Sequence, residues 1–467
     1  MRYGFIIDQT TCIGCHACTV ACKTEHDVPL GVNRTWVKYI EKGAWPDTNR
    51  FFSVMRCNHC TDAPCVTICP TSALFKRKDG IVDFDTDSCI GCKSCMQACP
   101  YDALYIDPQE NTAQKCNYCV HRVEVGLEPA CVVVCPEQAI IAGDIEDPTT
   151  KIAQMIKTDE LFQRAPEQGT KPNLWYKGVE AANIDPLGAS RPADGGVWSD
   201  PAGIEDSWLS VDLSTESAPP GPRIVKSGDD PARVVYGKSF PMPWGWRVSS
   251  YFLTKGIAAG IAIAAMIAIL FGATVDGIWM SVGAPLVAGL MLLVTGVLLV
   301  WDLKRPDRFL YLLTKGNPSS WLVRGAWILG AYALVLGVWF LAGLFGNEGL
   351  VEISIVVASV VALAVAGYTA FLFGQAEARD LWQNPTLLWH MIAGAAVAGG
   401  GASLVAELLA AEEIAPDAFA WCLAIGAAVL GLFALAELAS RHPTRNIAEA
   451  AHHLHAGAFA AEYWTGF

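Results

Sequence analysis

Hydrophobic and polar positions are arranged in three ways along this chain of 467 residues. The apolar excess is confined to the second half, where six runs stand in series, roughly 256–275, 279–301, 325–346, 353–374, 387–409 and 418–438. Each approaches or exceeds the length of about 20 residues that a helix needs to cross the hydrocarbon of a bilayer. They are rich in Gly and Ala, which suits close helix packing in lipid. A soluble helical core is the ordinary alternative, but six uninterrupted apolar segments in series are hard to bury within one soluble body. From about 177 to 243 no period is sustained, and Ala193-Asp194-Gly195-Gly196, Pro219-Pro220-Gly221-Pro222 and Gly228-Asp229-Asp230-Pro231 are turn and linker chemistry. Trp198 and Trp208 in that stretch point to parts of it docking on a neighbouring surface. The pattern divides the chain into 1–176, an irregular linker 177–243 and a membrane portion 244–467.

Charge sharpens this picture. Hydrophobic residues make up 52% and charged ones only 17%, and the net charge of −13 weighs against nucleic acid as a partner, since phosphate binding needs a basic surface. Between the second and third runs lie Lys304, Arg305, Arg308, Lys315 and Arg324; Arg379 follows the fourth run, and Arg441 and Arg445 the sixth. The opposite loops carry Asp276, Glu348, Glu412, Glu413 and Asp417. The positive-inside rule places the basic set, and with it the amino-terminal domain, on the cytoplasmic side. No secretory or twin-arginine signal is visible at the start, which agrees. Export alongside a twin-arginine partner, giving a periplasmic domain, is the alternative.

Cysteine supplies the chemistry. Of 17 cysteines, sixteen fall in four groups of four: Cys12, Cys15, Cys18, Cys22; Cys57, Cys60, Cys65, Cys69; Cys89, Cys92, Cys95, Cys99; and Cys116, Cys119, Cys131, Cys135. A [4Fe–4S] cube needs four thiolates, so four cubes use them all. The run C-x-x-C-x-x-C-x-x-x-C-P fits the third group through Pro100; the first has Lys23 in place of proline, and the second and fourth widen one gap but keep Pro70 and Pro136. The packing of thiols is too regular for a disulfide framework. Zinc knuckles lack the third and fourth cysteines of each group.

In such runs the fourth cysteine ligates the other cube of a pair. Residues 73–85 read as strand, Asp79-Gly80 turn, strand, the link inside a two-cluster unit. Groups two and three then pair, and one and four close around them. Cross-ligation assigns Cys57, Cys60, Cys65 and Cys99 to one cube and Cys89, Cys92, Cys95 and Cys69 to the next. Cys12, Cys15, Cys18 and Cys135 take the third; Cys116, Cys119, Cys131 and Cys22 take the fourth. Sequential pairing, one with two and three with four, is the alternative.

With these motifs, residues 1 to about 175 resemble the four-cluster electron-transfer subunit of the complex iron–sulfur molybdoenzymes, which include dimethyl-sulfoxide, polysulfide, tetrathionate and formate enzymes. Arg164 through Tyr176 resembles the segment after the cysteines in that family. The resemblance implies nested cubes and a separate catalytic subunit holding molybdenum or tungsten bis-pterin. The membrane half resembles the polysulfide-reductase-type quinone anchor, through Asp302-Leu303-Lys304-Arg305-Pro306-Asp307-Arg308-Phe309, Asn317-Pro318-Ser319-Ser320-Trp321 and Gly325-Ala326-Trp327. That anchor commonly has eight spans; either it is shortened here or the remaining spans lie on a further membrane subunit. The expected fold is an α+β double-ferredoxin iron–sulfur domain followed by an all-α membrane bundle of about six transmembrane helices.

A quinone, menaquinone or ubiquinone, needs an apolar slot with polar groups for its carbonyls and a path for protons. Ionisable residues within spans are costly and mark function by default. Trp244, Trp246, Tyr251 and Lys255 stand at the head of the first run, where an aromatic belt with a snorkelling lysine is the bland explanation. Tyr368 lies near the cytoplasmic end of the fourth, followed by Gln375, Glu377, Arg379 and Asp380. The family places a tyrosine of its fourth span and polar groups of its first around the quinone, which implies Tyr368 and Lys255, with Tyr251 and Trp246 beside them. Asp302 is a candidate proton relay or a helix-end carboxylate paired with Arg305. His390 reads better as a hydrogen-bonded core histidine than a proton carrier, and Cys422 as a small apolar filler.

The expected function is electron transfer and membrane anchoring for a respiratory molybdenum or tungsten oxidoreductase, with the substrate site on a partner chain. Both directions of electron flow fit, and the cytoplasmic placement tilts toward oxidation. The alternatives are a hydrogenase-linked or multihaem-cytochrome-linked module, and an ion-translocating unit, for which the spans carry too few polar residues.

Overall fold

A computed structural model describes the chain except residues 45, 186, 190–231, 239–242, 411–414, 441, 458 and 467. Trp198, Trp208, the three turn clusters of the linker, Glu412, Glu413 and Arg441 lie outside the described residues. The chain divides into two units: Met1–Pro243 with Ala376–Arg379 and Pro443–Phe467, and Trp244–Gln375 with Asp380–His442.

The first unit is built on short strands: β1 (Tyr3–Asp8), β2 (Thr35–Ala44), β3 (Asp47–Arg56), β4 (Leu74–Lys76), β5 (Val82–Phe84), β6 (Tyr105–Ile106), β7 (Ala113–Gln114), β8 (Ile140–Asp144), β9 (Leu161–Phe162), β10 (Leu174–Lys177) and β11 (Arg233–Tyr236). One sheet has the order β8-β1-β10-β9, with β1 parallel to β10 and the other pairs antiparallel. The hairpin expected between the second and third cysteine groups is present: β4 pairs β5 with Leu74 opposite Phe84 and Lys76 opposite Val82. Phe5, Ile7, Trp36, Val37, Val54, Met55, Ile140, Leu174 and Tyr176 form the core, which also takes in Cys18 and Cys131. The Tyr118 hydroxyl donates to Gly4 O at 2.7 Å and accepts from Gly143 N at 3.0 Å, so one buried side chain joins the fourth cysteine group to β1 and β8.

One departure from expectation falls here. The linker is not irregular throughout: Arg233-Val234-Val235-Tyr236 forms β11 and pairs antiparallel with β2, giving a sheet β11-β2-β3. A β-branched pair with an aromatic neighbour suits a half-buried pleat, and Val234 packs against Ile40 and Ala182. Residues 443–467 carry the helices Arg445–His455 and Ala460–Gly466, both too short to span.

Among the described residues the second unit holds six helices long and apolar enough to cross a membrane: Trp246–Leu270, Trp279–Asp302, Trp321–Leu344, Glu348–Gly374, Leu387–Leu409 and Asp417–Ala439. The first begins ten residues before the apolar run that announced it, so Lys255 is inside the helix rather than at its head. Ala258, Ala259, Ala262 and Ala265 of this helix are buried against Ala358, Ala362 and Ala366 of the fourth and other small residues, the composition that close packing in lipid favours. Buried polar groups cross between helices: Tyr332 Oη donates to Ala258 O at 2.6 Å, Ser359 Oγ to Ala262 O at 2.8 Å. The second span opens with a π-turn at Trp279–Gly283 beside Pro285, and Trp339 Nε1 donates to Met280 O of that turn at 2.9 Å, satisfying backbone polarity that lipid could not.

Candidate cluster sites and a buried polar group in the membrane

Each cysteine group runs from a loop bent by left-handed residues into a helix. Gly14 (φ 71°) and His16 (φ 60°) in the first group recur as Gly91 (φ 67°) and Lys93 (φ 64°) in the third. A β-carbon on Gly14 would collide with the Phe52 ring, so only glycine fits there. This alternation turns backbone N–H groups inward, the concave arrangement that receives anionic sulfur. Leu74 N lies 3.4 Å from Cys69 Sγ, Gly91 N 3.4 Å from Cys89 Sγ and Ala139 N 3.3 Å from Cys135 Sγ, each donating.

Two cavities show how the groups combine. One, about 340 Å³ of atom-free space partly open to solvent, is lined by Cys12, Cys15, Cys18 and Cys135. The other, about 360 Å³, is lined by Cys69, Cys89, Cys92 and Cys95. Cys22 lies within electrostatic reach of Cys116, Cys119 and Cys131, and Cys65 within reach of Cys57, Cys60 and Cys99. Each of these four assemblies draws three cysteines from one group and one from another.

The donor sets fit polynuclear iron–sulfur chemistry. Burial first, then the neighbouring Cys57, pushes the Cys60 thiol up to about 12; burial and then Cys116 do the same to Cys119. Four such thiols become thiolates together only when cations hold them. Among the described residues no three His, Cys, Asp or Glu side chains converge on a point where one metal ion would sit. Tetrahedral zinc would bring its sulfurs to about 3.8 Å from one another, given Zn–S bonds of about 2.3 Å. A cube, which carries its thiolates on separate iron corners, holds them further apart.

Two basic side-chain types also reach the sulfurs, an arginine and a histidine that burial keeps neutral. Arg56 is fully buried and its Nη1 donates to Cys131 Sγ at 3.1 Å; His26 Nε2 lies 3.2 Å from Cys119 Sγ. Neither drew notice in the sequence, because nothing in its spacing marks an arginine before a cysteine or a histidine after a helix.

In the second unit three of the five candidate quinone residues converge. Lys255 is 2% exposed, and its Nζ donates to Thr369 Oγ1 at 2.5 Å and to Ala366 O at 3.2 Å. The ammonium lies 4.8 Å from the Tyr368 ring centre and 5.6 Å from that of Tyr251. Tyr251 Oη in turn donates to Thr369 Oγ1 at 3.4 Å. Thr369, absent from the candidates, is the hub. Gly325 makes room for the Tyr368 ring, which a β-carbon there would strike. Lys255 therefore does not snorkel; its partners are neutral and internal.

The remaining candidates fall elsewhere. Trp246 is 41% exposed and meets Trp301 edge-on at 5.7 Å. Asp302 is buried at the end of the second span, while Arg305 pairs with Asp307 at 2.9 Å. Gln375 caps the third span, accepting from Trp321 N at 2.9 Å and donating to Ser319 O at 2.8 Å. His390 is partly buried and stacks on Phe433 at 4.6 Å with Nδ1 against Thr386, and Cys422 is buried in the apolar bundle core.

A thiol-lined, anion-receiving head joined in one chain to six apolar helices with a buried amine defines an iron–sulfur electron carrier with its own membrane anchor. Residues 11–74 and 48–145 match 4Fe-4S dicluster domains, and residues 234–467 match the family described as polysulphide reductase, NrfD. The chain belongs to that family, with an iron–sulfur head fused to its membrane portion. It is similar to a tetrathionate reductase subunit of Salmonella typhimurium, 46% identical over 198 residues that cover 41% of this chain and 79% of the relative. The arsenate respiratory reductase iron-sulfur subunit ArrB of a Shewanella species is 36% identical over 38% of this chain and 96% of its own length. A polysulfide reductase polypeptide of Wolinella succinogenes is 42% identical over 37% and 93%.

Proposed function

We propose that this chain carries electrons through four [4Fe–4S] clusters between a separate molybdenum or tungsten bis-pterin subunit and a membrane quinone. The observation that carries it is the convergence of thiols from separate groups on common cavities, in one chain with a buried Lys255–Thr369–Tyr251 cluster. The ligand sets are Cys12, Cys15, Cys18, Cys135; Cys69, Cys89, Cys92, Cys95; Cys57, Cys60, Cys65, Cys99; and Cys22, Cys116, Cys119, Cys131. When bound, each cluster accepts and returns one electron without a proton.

The chain's own residues do the rest. The thiolates hold the clusters, and inward N–H groups such as those of Leu74, Gly91 and Ala139 stabilise their negative charge. Lys255 Nζ and the hydroxyls of Tyr251 and Tyr368 are the donors proposed for the quinone carbonyls. Thr369 holds the lysine and the first tyrosine in place. Lys255, buried against Ala366, is placed to exchange a proton with a quinone oxygen as the quinol is oxidised.

The basic loops around Lys304, Arg308 and Arg324 support a cytoplasmic head. The names of the relatives, reductases of tetrathionate, arsenate and polysulfide, support electrons leaving the quinone pool toward an oxidised sulfur or oxyanion substrate. The test is purification from native membranes with identification of the associated chains. A bis-pterin protein with molybdenum or tungsten is expected; a hydrogenase or multihaem cytochrome in its place overturns the partner assignment.

A further inference from the structure

Arg56 ends β3 one residue before Cys57. Its exposure is 0%, its guanidinium carbon stands 4.5 Å from the Phe5 ring centre, and thiols, Tyr118, Tyr176 and His59 lie within its electrostatic reach. Nη1 donates to Cys131 Sγ, and Cys116 and Cys18 lie within electrostatic reach. Nε and Nη2 are buried with no protein partner among the described residues. A guanidinium cannot shed its proton, and burying it without an anion is strongly unfavourable. Two unsatisfied donors beside Cys116 and Cys131 are what the inorganic sulfides of a cluster there would accept from.

We propose that Arg56 is a tuning residue, which raises the reduction potential of the cluster held by Cys22, Cys116, Cys119 and Cys131 and so makes that cluster a favoured resting place for the electron. The proposal rests on the four-cluster ligand sets given above. Reduction adds one electron from the neighbouring cluster, forms or breaks no bond and moves no proton, so the cluster becomes one unit more negative. A fixed positive charge at hydrogen-bond distance favours that state, and hydrogen bonds to sulfur act in the same direction. Neutral donors stand at two other thiols, Thr170 and Tyr101 at Cys60 and Ser94 at Cys92, while Arg56 also reaches Cys18 of a neighbouring set. Lys115 is also buried and near Cys116, but its ammonium is engaged by the carbonyls of Val82 and Cys116, so its influence is the weaker.

Redox titration of the full chain in membranes, followed by electron paramagnetic resonance of each cluster, tests this. Arg56→Gln should make one cluster at least about tenfold harder to reduce, about 59 mV for a one-electron couple, with smaller shifts in the others. Arg56→Lys, which keeps the charge, should recover part of the shift. Should Arg56→Gln fail to assemble, the unaltered protein grown on nitrogen-15 arginine answers the question, because one reduced cluster should show hyperfine coupling to arginine nitrogen. Intact clusters with unshifted potentials, or with no arginine coupling, overturn the tuning role. Missing iron or zinc in its place would instead overturn the cluster assignment beneath it.

Discussion

Gly260 and Gly399 meet backbone to backbone: a β-carbon on Gly399 would overlap the Gly260 carbonyl carbon, and one on Gly260 would overlap Ala395 O. The first and fifth spans therefore touch with no side chain between them, the approach that small residues permit in lipid. Gly260 lies just over one turn beyond Lys255, so this crossing helps set where the amine stands.

Gly399→Leu should force the two helices apart. Overpacking of this kind costs about 1–3 kcal/mol or more, and the melting temperature of the purified protein in detergent should fall. An unchanged melting temperature would mean the contact is not maintained.

Tyr368→Phe and Lys255→Met should slow quinone turnover while leaving the cluster spectra intact. Losing a hydrogen bond to a charged group costs about 1.5–3 kcal/mol, so Lys255→Met should reduce turnover by about 10- to 100-fold, and Tyr368→Phe by less. Steady-state oxidation of a water-soluble quinol analogue reads this directly. Undiminished rates would remove both residues from the site.

Metal content and one serine variant test the ligand sets. Purified protein should hold about 16 iron atoms per chain, four for each of four cubes. Cys135→Ser should perturb the same cluster signal as Cys12→Ser. Under sequential pairing it would instead match Cys89→Ser.

Glu41 clasps β11 to β2. It accepts from Arg233 Nη2 at 2.7 Å and Nε at 3.2 Å, and also from Arg50. The hydrogen bonds from Arg50 and then Arg233 hold its carboxyl below the ordinary carboxylate range. A depressed carboxylate contributes stability above the unfolded pKa and loses it as pH falls through the folded one. The protection factor of the Val234–Tyr236 amides, with the intrinsic pH dependence of exchange divided out, should therefore be high at neutral pH and fall below about pH 4, and Glu41→Gln should lower it at neutral pH. Exchange indifferent to both changes would show that the clasp is not what holds the strand.

Much of this molecule could be read from its sequence because thiol spacing and long apolar runs are strong local signals. Four cysteine groups, the β4–β5 hairpin and six spanning helices were all legible that way. The start of the first span was not. Arg247, Ser249, Ser250, Thr254 and Lys255 lower the hydropathy of its opening turns, yet they are helical all the same. β11 was hidden because four residues amid turn chemistry carry no period, and its partner β2 lies some 190 residues away, since Arg233 stands opposite Glu41. Thr369 went unnoticed because a threonine in a span is ordinary until a buried lysine points at it. Trp246 was misleading in the opposite way: an aromatic at a helix head draws attention, but its ring turns outward to Trp301.

The cavity of Cys12, Cys15, Cys18 and Cys135 has walls from the two ends of the cysteine-bearing region, residues 12–18 and 135–140. Translation delivers those walls at different times. When the first cysteines leave the ribosome their fourth companion does not yet exist, whereas Cys69 already waits for Cys89, Cys92 and Cys95. A polypeptide halted before residue 135 would lack one wall of that cavity, leaving Cys12, Cys15 and Cys18 without their fourth thiol.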